Sequence, residues 1–341
     1  LTNPGANGEC KGIANTNFGR PVSAAFAEDD LIRGWGKRHF NWEFSAGVQH
    51  EIVPRVSVDL GYFRRWFGNF QVVDNLAVGP EDFTPYSITA PVDPRLPDGG
   101  GYTISGLYDI NPAAFGRPGN YRIQLSDDFG KRIEHWNGVD AGVNLRLPNG
   151  AVLQGGLSTG RTSTDDCEVV SQIGSTGFGS ALSGFNASPS DGPSTLYCHV
   201  DAAFQTQVKF IGSYTIPRID VQVAGTFQSR PGPQLSANYT ATFADYGPAL
   251  GRVLAGGNLN STVGVNLIEP GSIYGERLNV LDLRINKIVR VGRMRTSLGI
   301  DVYNAMNVST VLSQNNSFSA WQVPTAIVTP RFAKFNLTLD F

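Results

Sequence analysis

Four histidines, His39, His50, His135 and His199, and the run Asp165-Asp166-Cys167-Glu168 are the residues whose types suit proton transfer or metal binding. Hydrolysis by a side-chain nucleophile needs an acid or a serine beside a histidine; His199 with Asp201, or Asp165 and Asp166, comes nearest to that pattern. Loop carboxylates are ordinarily solvated, so the chain is expected not to be an enzyme. No His-x-x-x-His or paired-Cys spacing announces a metal. Asp165, Asp166 and Glu168 could hold calcium, but they lack the regular ligand spacing of a calcium loop. The stretch GSTGFGSALSG (174–184) has neither the Lys-Ser/Thr nor the following helix of a phosphate loop, and reads as a loop. No cofactor is expected, and a formal net charge of −2 without basic runs argues against nucleic acid as a partner.

The elements that must carry these residues are strands. In FNWEFSAGVQHEI, Phe40, Trp42, Phe44, Ala46, Val48 and Ile52 share a face opposite Asn41, Glu43, Ser45, Gln49 and Glu51. A period of two with one apolar side is the mark of a half-buried strand. After Val53-Pro54-Arg55 the pattern resumes at Val56, Val58, Leu60 and Tyr62. Three further hairpins turn at Pro148-Asn149-Gly150, Pro217-Arg218 and Val291-Gly292-Arg293, and Ala333, Phe335, Leu337, Leu339 and Phe341 form a last strand. The count is nine.

No run of about 18 apolar residues is present, so a membrane-crossing helix is excluded. Alternating strands with one polar side are compatible with a lipid-spanning barrel, even at 41% hydrophobic residues and a mean hydropathy of −0.14. The connections sort by length. Those at one end are tight turns, whereas 69–130, 164–201, 230–271 and 306–330 are long and rich in Gly, Pro, Asn, Ser and Asp. Short periplasmic turns and long extracellular loops give the same asymmetry. Trp42, Trp66, Trp136 and Trp321 fall toward the long-loop ends, where an interfacial aromatic belt belongs. The segments 83–91 and 102–110 could be strands, and as a pair they would extend a hairpin above the membrane and leave the strand count odd. The predicted fold is therefore all-β: a partial antiparallel transmembrane β-barrel over 38–341, with 1–37 a loop segment before it. Glu43, Asp59, Asp140, Arg146, Lys209, Asp220, Asp282, Arg284 and Asp301 are expected on the lumen side.

Residues 274–307, YGERLNVLDLRINKIVRVGRMRTSLGIDVYNAMN, resemble the penultimate hairpin of TonB-dependent outer-membrane receptors. Arg277, Leu278, Leu281, Asp282, Leu283 and Arg284 form its strand, and Asn304, Ala305 and Asn307 its Asn-Ala-x-Asn element. WNGVDAGVNLRLPNG and FNWEFSAGVQHEI are similar to interior hairpins of the Oar-like group, receptors that carry an N-terminal carboxypeptidase-regulatory-like domain. The last strand, with Phe335, Leu337, Leu339 and Phe341, looks like the signal that engages the barrel-assembly machinery. The resemblance covers about 35–341 and implies a bacterial outer-membrane location, contact with lipid, and energy-coupled import of an unidentified extracellular ligand. TonB would act through a plug domain that has no counterpart here. No signal peptide precedes Leu1, and nine strands are an odd number where single-chain barrels have even counts, so the chain is expected to be the C-terminal part of a longer protein. A passive porin-like channel and a surface adhesin or glycan-binding barrel are the alternative readings.

In the oxidising compartment so implied, Cys167 and Cys198 flank one loop where neighbouring strands come near, and are expected to form a disulfide contributing about 3 kcal/mol. Cys10 is left without a partner.

Overall fold

The alternating segments fold into nine strands that lie side by side in chain order. In the computed structural model, which describes residues 26–173, 194–291 and 294–340, these are β1 (Phe40–Val53), β2 (Val56–Gly68), β3 (Ile133–Arg146), β4 (Val152–Asp165), β5 (Gln205–Ile216), β6 (Val221–Arg230), β7 (Leu278–Val291), β8 (Met294–Tyr303) and β9 (Phe332–Asp340). Each pairs antiparallel with the next, and the short strand His199–Asp201 adds to the loop end of β4. The fold is all-β and antiparallel. β1 and β9 are the two edges, and both run from the loop end to the turn end.

The register keeps the two sequence faces apart across the whole sheet. Val48, Leu60, Ala141, Leu157 and Val208 form one row, and Gln49, Asp59, Gly142, Gly156 and Lys209 form the row behind it. Further along, Tyr214, Val223, Ile285, Ile300 and Phe335 continue the apolar face. A slip of one residue would exchange the faces of an entire strand, so the apolar repeat specifies the pairing.

Tight turns need residues that tolerate left-handed backbone. Arg55 (φ 74°), Gly150 (φ 86°), Arg218 (φ 71°) and Asp220 (φ 47°) supply it. Asp220 thus belongs to a turn and not to the polar strand face, a correction to its expected place; its carboxylate lies 3.3 Å from Arg290.

The hydrophobic core is not in the sheet. Val48 is 70% exposed, Leu60 57% and Phe335 78%. Buried apolar side chains gather instead in the long connections, which fold on one another. In 69–132, Phe83–Thr89 and Thr103–Ile110 pair as a hairpin, and Gln71–Asn75 pairs with Tyr121–Leu125. Phe26–Ala27 adds to Tyr121–Leu125 in parallel, so this part of the first 37 residues joins the loop layer. In 231–277, Asn238–Ala241 pairs with Val263–Asn266 around the helix Phe243–Leu250. That helix begins where Asp245 accepts hydrogen bonds from the Thr242 backbone N–H (2.7 Å) and hydroxyl (2.8 Å). Ile88, Leu96, Ile104, Tyr246, Val265, Leu267, Ile268 and Trp321 come together from three connections into one cluster, with Leu196 of a fourth against it. Each large side chain so buried contributes roughly 1.5–3 kcal/mol, enough to hold the four loops as a folded cap.

Candidate functional site

Two surfaces face away from the apolar side: the polar face of the sheet and the loop cap above it. On the polar face, Asp301 accepts from both Nε and Nη2 of Arg284, the latter at 2.9 Å, and from Asn336 Nδ2 at 3.2 Å. Only 4% of Asp301 is exposed. Such a fork orients both groups and leaves little charge unpaired. Glu43 and Arg65 pair at 2.6 Å near the loop end. Asp59, Asp140, Arg146, Lys209 and Asp282 share this face with Glu43, Arg284 and Asp301. Among the described residues, Asp140 Oδ1 and Asn286 Oδ1 are shielded from solvent without a donor. The face is therefore an array of polar groups able to hold water or a protein surface.

The Asn-Ala-x-Asn element is a structural turn at the top of β8. Asn304 (φ 49°) donates from Nδ2 to the carbonyls of Val308 (2.9 Å) and Thr329 (3.0 Å) and accepts from Val308 N–H at 3.0 Å. Its own N–H donates to Asp282 Oδ1 at 2.8 Å. Asn307 accepts from the Arg331 N–H at 3.0 Å, which ties the last connection to the start of β9.

In the cap, Asp93 and Arg95 form a fork (2.7 and 3.0 Å), and Arg95 Nη1 reaches the Trp321 carbonyl at 2.9 Å. The guanidinium carbon stands 5.5 Å from the Trp321 ring centroid and 5.9 Å from that of Phe318. The bonds from Arg95 lower the Asp93 carboxyl from 3.8 to about 2. Arg252 pairs with Asp109, whose Oδ2 also accepts from Ala255 N–H at 3.0 Å. Burial, with the Asp109 charge second, pushes the Tyr86 hydroxyl up to about 12. None of these residues shows a sequence period; the charge signs at Asp93-x-Arg95 are the one signal that could have marked them.

The histidine and acid residues meet only in part. His199 Nδ1 lies 3.0 Å from Asp165 Oδ2 and Nε2 lies 3.8 Å from Asp201 Oδ2. The Asp165 hydrogen bond raises the imidazole above its usual range. The ring's charged neighbours are carboxylates, so this pairing stabilises a proton on the imidazole. Asp165 also accepts from Cys167 N–H at 3.1 Å, and Glu168 from Lys131 N–H at 2.9 Å. The acidic run therefore diverges, and among the described residues no group of three His, Cys, Asp or Glu is arranged to hold a metal. His39 stacks near Phe67 and Phe70, while His50 and His135 sit in the apolar-face rows.

Cys167 and Cys198 are joined in a disulfide, with Cα atoms 4.9 Å apart. The helix Cys167–Val170 beside it buries Val169 and Val170. Cys10, the glycine-rich stretch 174–184 and Phe341 lie outside the described residues. Phe335, Leu337 and Leu339 stand exposed on the apolar face of β9.

Two of the four tryptophans depart from the expected belt. Trp42 and Trp66 are cross-strand partners on the apolar face, 62% and 39% exposed. Trp321 is 2% exposed inside the loop core, because the last connection folds it under the cap. Trp136 pairs with Arg65 and Thr162 on the polar face, where its ring covers Gly138 and Gly160. Its even position, in step with Asp140 and not with Val139, was the available signal.

No family model and no curated protein matches this sequence. Among solved structures, the outer membrane transporter YddB from Escherichia coli is similar to 93% of this chain at 12% identity with a TM-score of 0.40. The chain spans 34% of that transporter.

Proposed function

We propose that this chain forms the wall and outer loops of an outer-membrane transporter barrel of the TonB-dependent receptor type, which imports a ligand captured at the loops. The observation that carries the reading is the sheet's unburied apolar face, continuous from Val48 on β1 to Phe335 on β9. In water a patch of that extent is an aggregation hazard. In a bilayer it is the surface that belongs against acyl chains, and strands of 9 to 14 residues are long enough to cross. The polar face then lines the interior, where the half-exposed Glu43–Arg65 pair and the guanidinium of Arg284 meet water or a plug domain. The cap stands outside the membrane as a rigid platform for an extracellular ligand. Lipid, the barrel-assembly machinery and TonB, acting through a plug, are the partners of this reading, and no catalytic group or cofactor enters it.

The experiment refolds the longer protein, of which this chain is read as the C-terminal part, into lipid vesicles with strand protection from protease, followed by conductance in a planar bilayer. Protected strands without a steady conductance support a filled transporter wall. Conductance without an energy source replaces import by passive diffusion, and complete digestion in every vesicle removes the membrane reading.

A further inference from the structure

The apolar face carries one cationic row near its loop end. Above Ala46, Tyr62 and Val139, the next row reads Phe44, Arg64, Asn137, Arg161, and the one beyond it Trp42, Trp66, His135, Ser163 and Asp201, whose carboxyl a hydrogen bond from Ser163 and the Arg161 charge help to hold below its usual range. A guanidinium costs about 2–4 kcal/mol at the centre of a bilayer and nearly nothing at its interface, so these two arginines mark headgroup depth. Neither makes an ion pair or side-chain hydrogen bond among the described residues. Asn137 between them is engaged, accepting from the Tyr62 hydroxyl at 3.0 Å. Arg161 stacks on Phe204, 5.2 Å from its centroid, and Phe204 is itself 56% exposed. Arg64 opens on a cavity of about 460 Å³ lined also by Phe44, Trp66, Arg132, Glu134 and His135. Lys287, the other cation on this face, sits at the turn end and donates to the Ile219 carbonyl.

Two strand spacings separate Arg64 from Arg161, roughly 10 Å, within which two such side chains converge on one anion. Planar guanidinium groups match phosphate oxygens in pairs. The flanking rings supply walls for an amphipathic molecule, and the apolar rows below supply a bed for its chains. We propose that Arg64 and Arg161 bind the anionic phosphate monoester of a membrane lipid, whose acyl chains run down over Tyr62, Leu60 and Val139. The inference rests on the membrane reading above, and adds to it a specific lipid class at a specific place.

The test refolds the longer protein that completes this wall into phosphatidylcholine vesicles containing one part in ten of phosphatidic acid. After mild detergent extraction, the phosphatidic acid retained is counted against phosphatidylcholine. The wild-type chain is expected to retain it with roughly tenfold enrichment, and R64Q/R161Q with less than about twofold. K287Q, at the other rim, should keep the wild-type value. Equal enrichment in the wild type and R64Q/R161Q, or none in an inserted wild type, overturns the site. Protease protection is read on the same vesicles: an unprotected chain overturns the membrane reading and this site with it, whereas a protected chain without enrichment overturns the site alone.

Discussion

The ring of Trp136 on β3 reaches over Gly160 on β4, close enough that a Cβ at Gly160 would collide with it. Gly138, paired with Gly160, lies under the same ring. The two glycines thus form a seat for an aromatic on the polar face. Gly160→Val should force the ring off this seat and destabilise the sheet by about 1–3 kcal/mol. Urea unfolding in detergent would register the loss, and an unchanged midpoint would show that the ring has another place to go.

The two faces of the wall should respond oppositely to charge. Leu60→Arg, in the middle of the apolar rows, is expected to cost about 2–4 kcal/mol of folding free energy in vesicles. Gln49→Arg, one residue further along β1 from Leu60's partner Val48 and beside Asp59 on the other face, should change it by less than about 0.5 kcal/mol. Equal costs at both positions would contradict the assignment of faces.

Acid should loosen the cap in a defined window. The folded Asp93 carboxyl binds its proton less tightly than the unfolded one, so its contribution is complete above pH 3.8 and is lost as pH falls toward about 2. The emission of Trp321, taken as the difference from a Trp321→Phe chain, should shift over that interval. Asp93→Asn should abolish the shift.

Reduction of the Cys167–Cys198 bridge should release one connection and leave the wall intact. About 3 kcal/mol of local protection is expected to disappear. Amide exchange at Val169, Val170 and Ile173, all nearly fully buried, is the readout. Unchanged protection there after reduction would mean that packing against Val72 and Phe129 suffices.

The wall was legible because a strand with one apolar face writes its geometry at every second residue. Each of the nine segments, from Phe40 to Leu339, follows that rule, and the turns sit where Pro54, Gly150 and Pro217 interrupt it. The cap was not legible beyond its first hairpin. Ile88, Tyr246, Leu267 and Trp321 form one cluster, yet they come from connections far apart in the chain, and no local period links them. Trp321 was misplaced for that reason. Trp136 was misplaced for a different one: its loop-end position outweighed its register with Asp140. Asn304 illustrates the remaining limit, since the motif was visible but its work, bracing the Val308 and Thr329 carbonyls, depends on a fold around it.

The parallel sense of the two edge strands limits what can complete the sheet. β1 and β9 both travel from the cap toward the turns. Two copies brought together around an axis along the strands would set like-running edges side by side, a parallel seam in an otherwise antiparallel wall, and purely antiparallel sheets are favoured over mixed ones. Any insert that preserves the antiparallel pattern at both seams must hold an odd number of strands. Parity therefore acts as a lock: self-association by rotation about an axis along the strands does not fit it, and a single additional strand, or three, or any odd set, does.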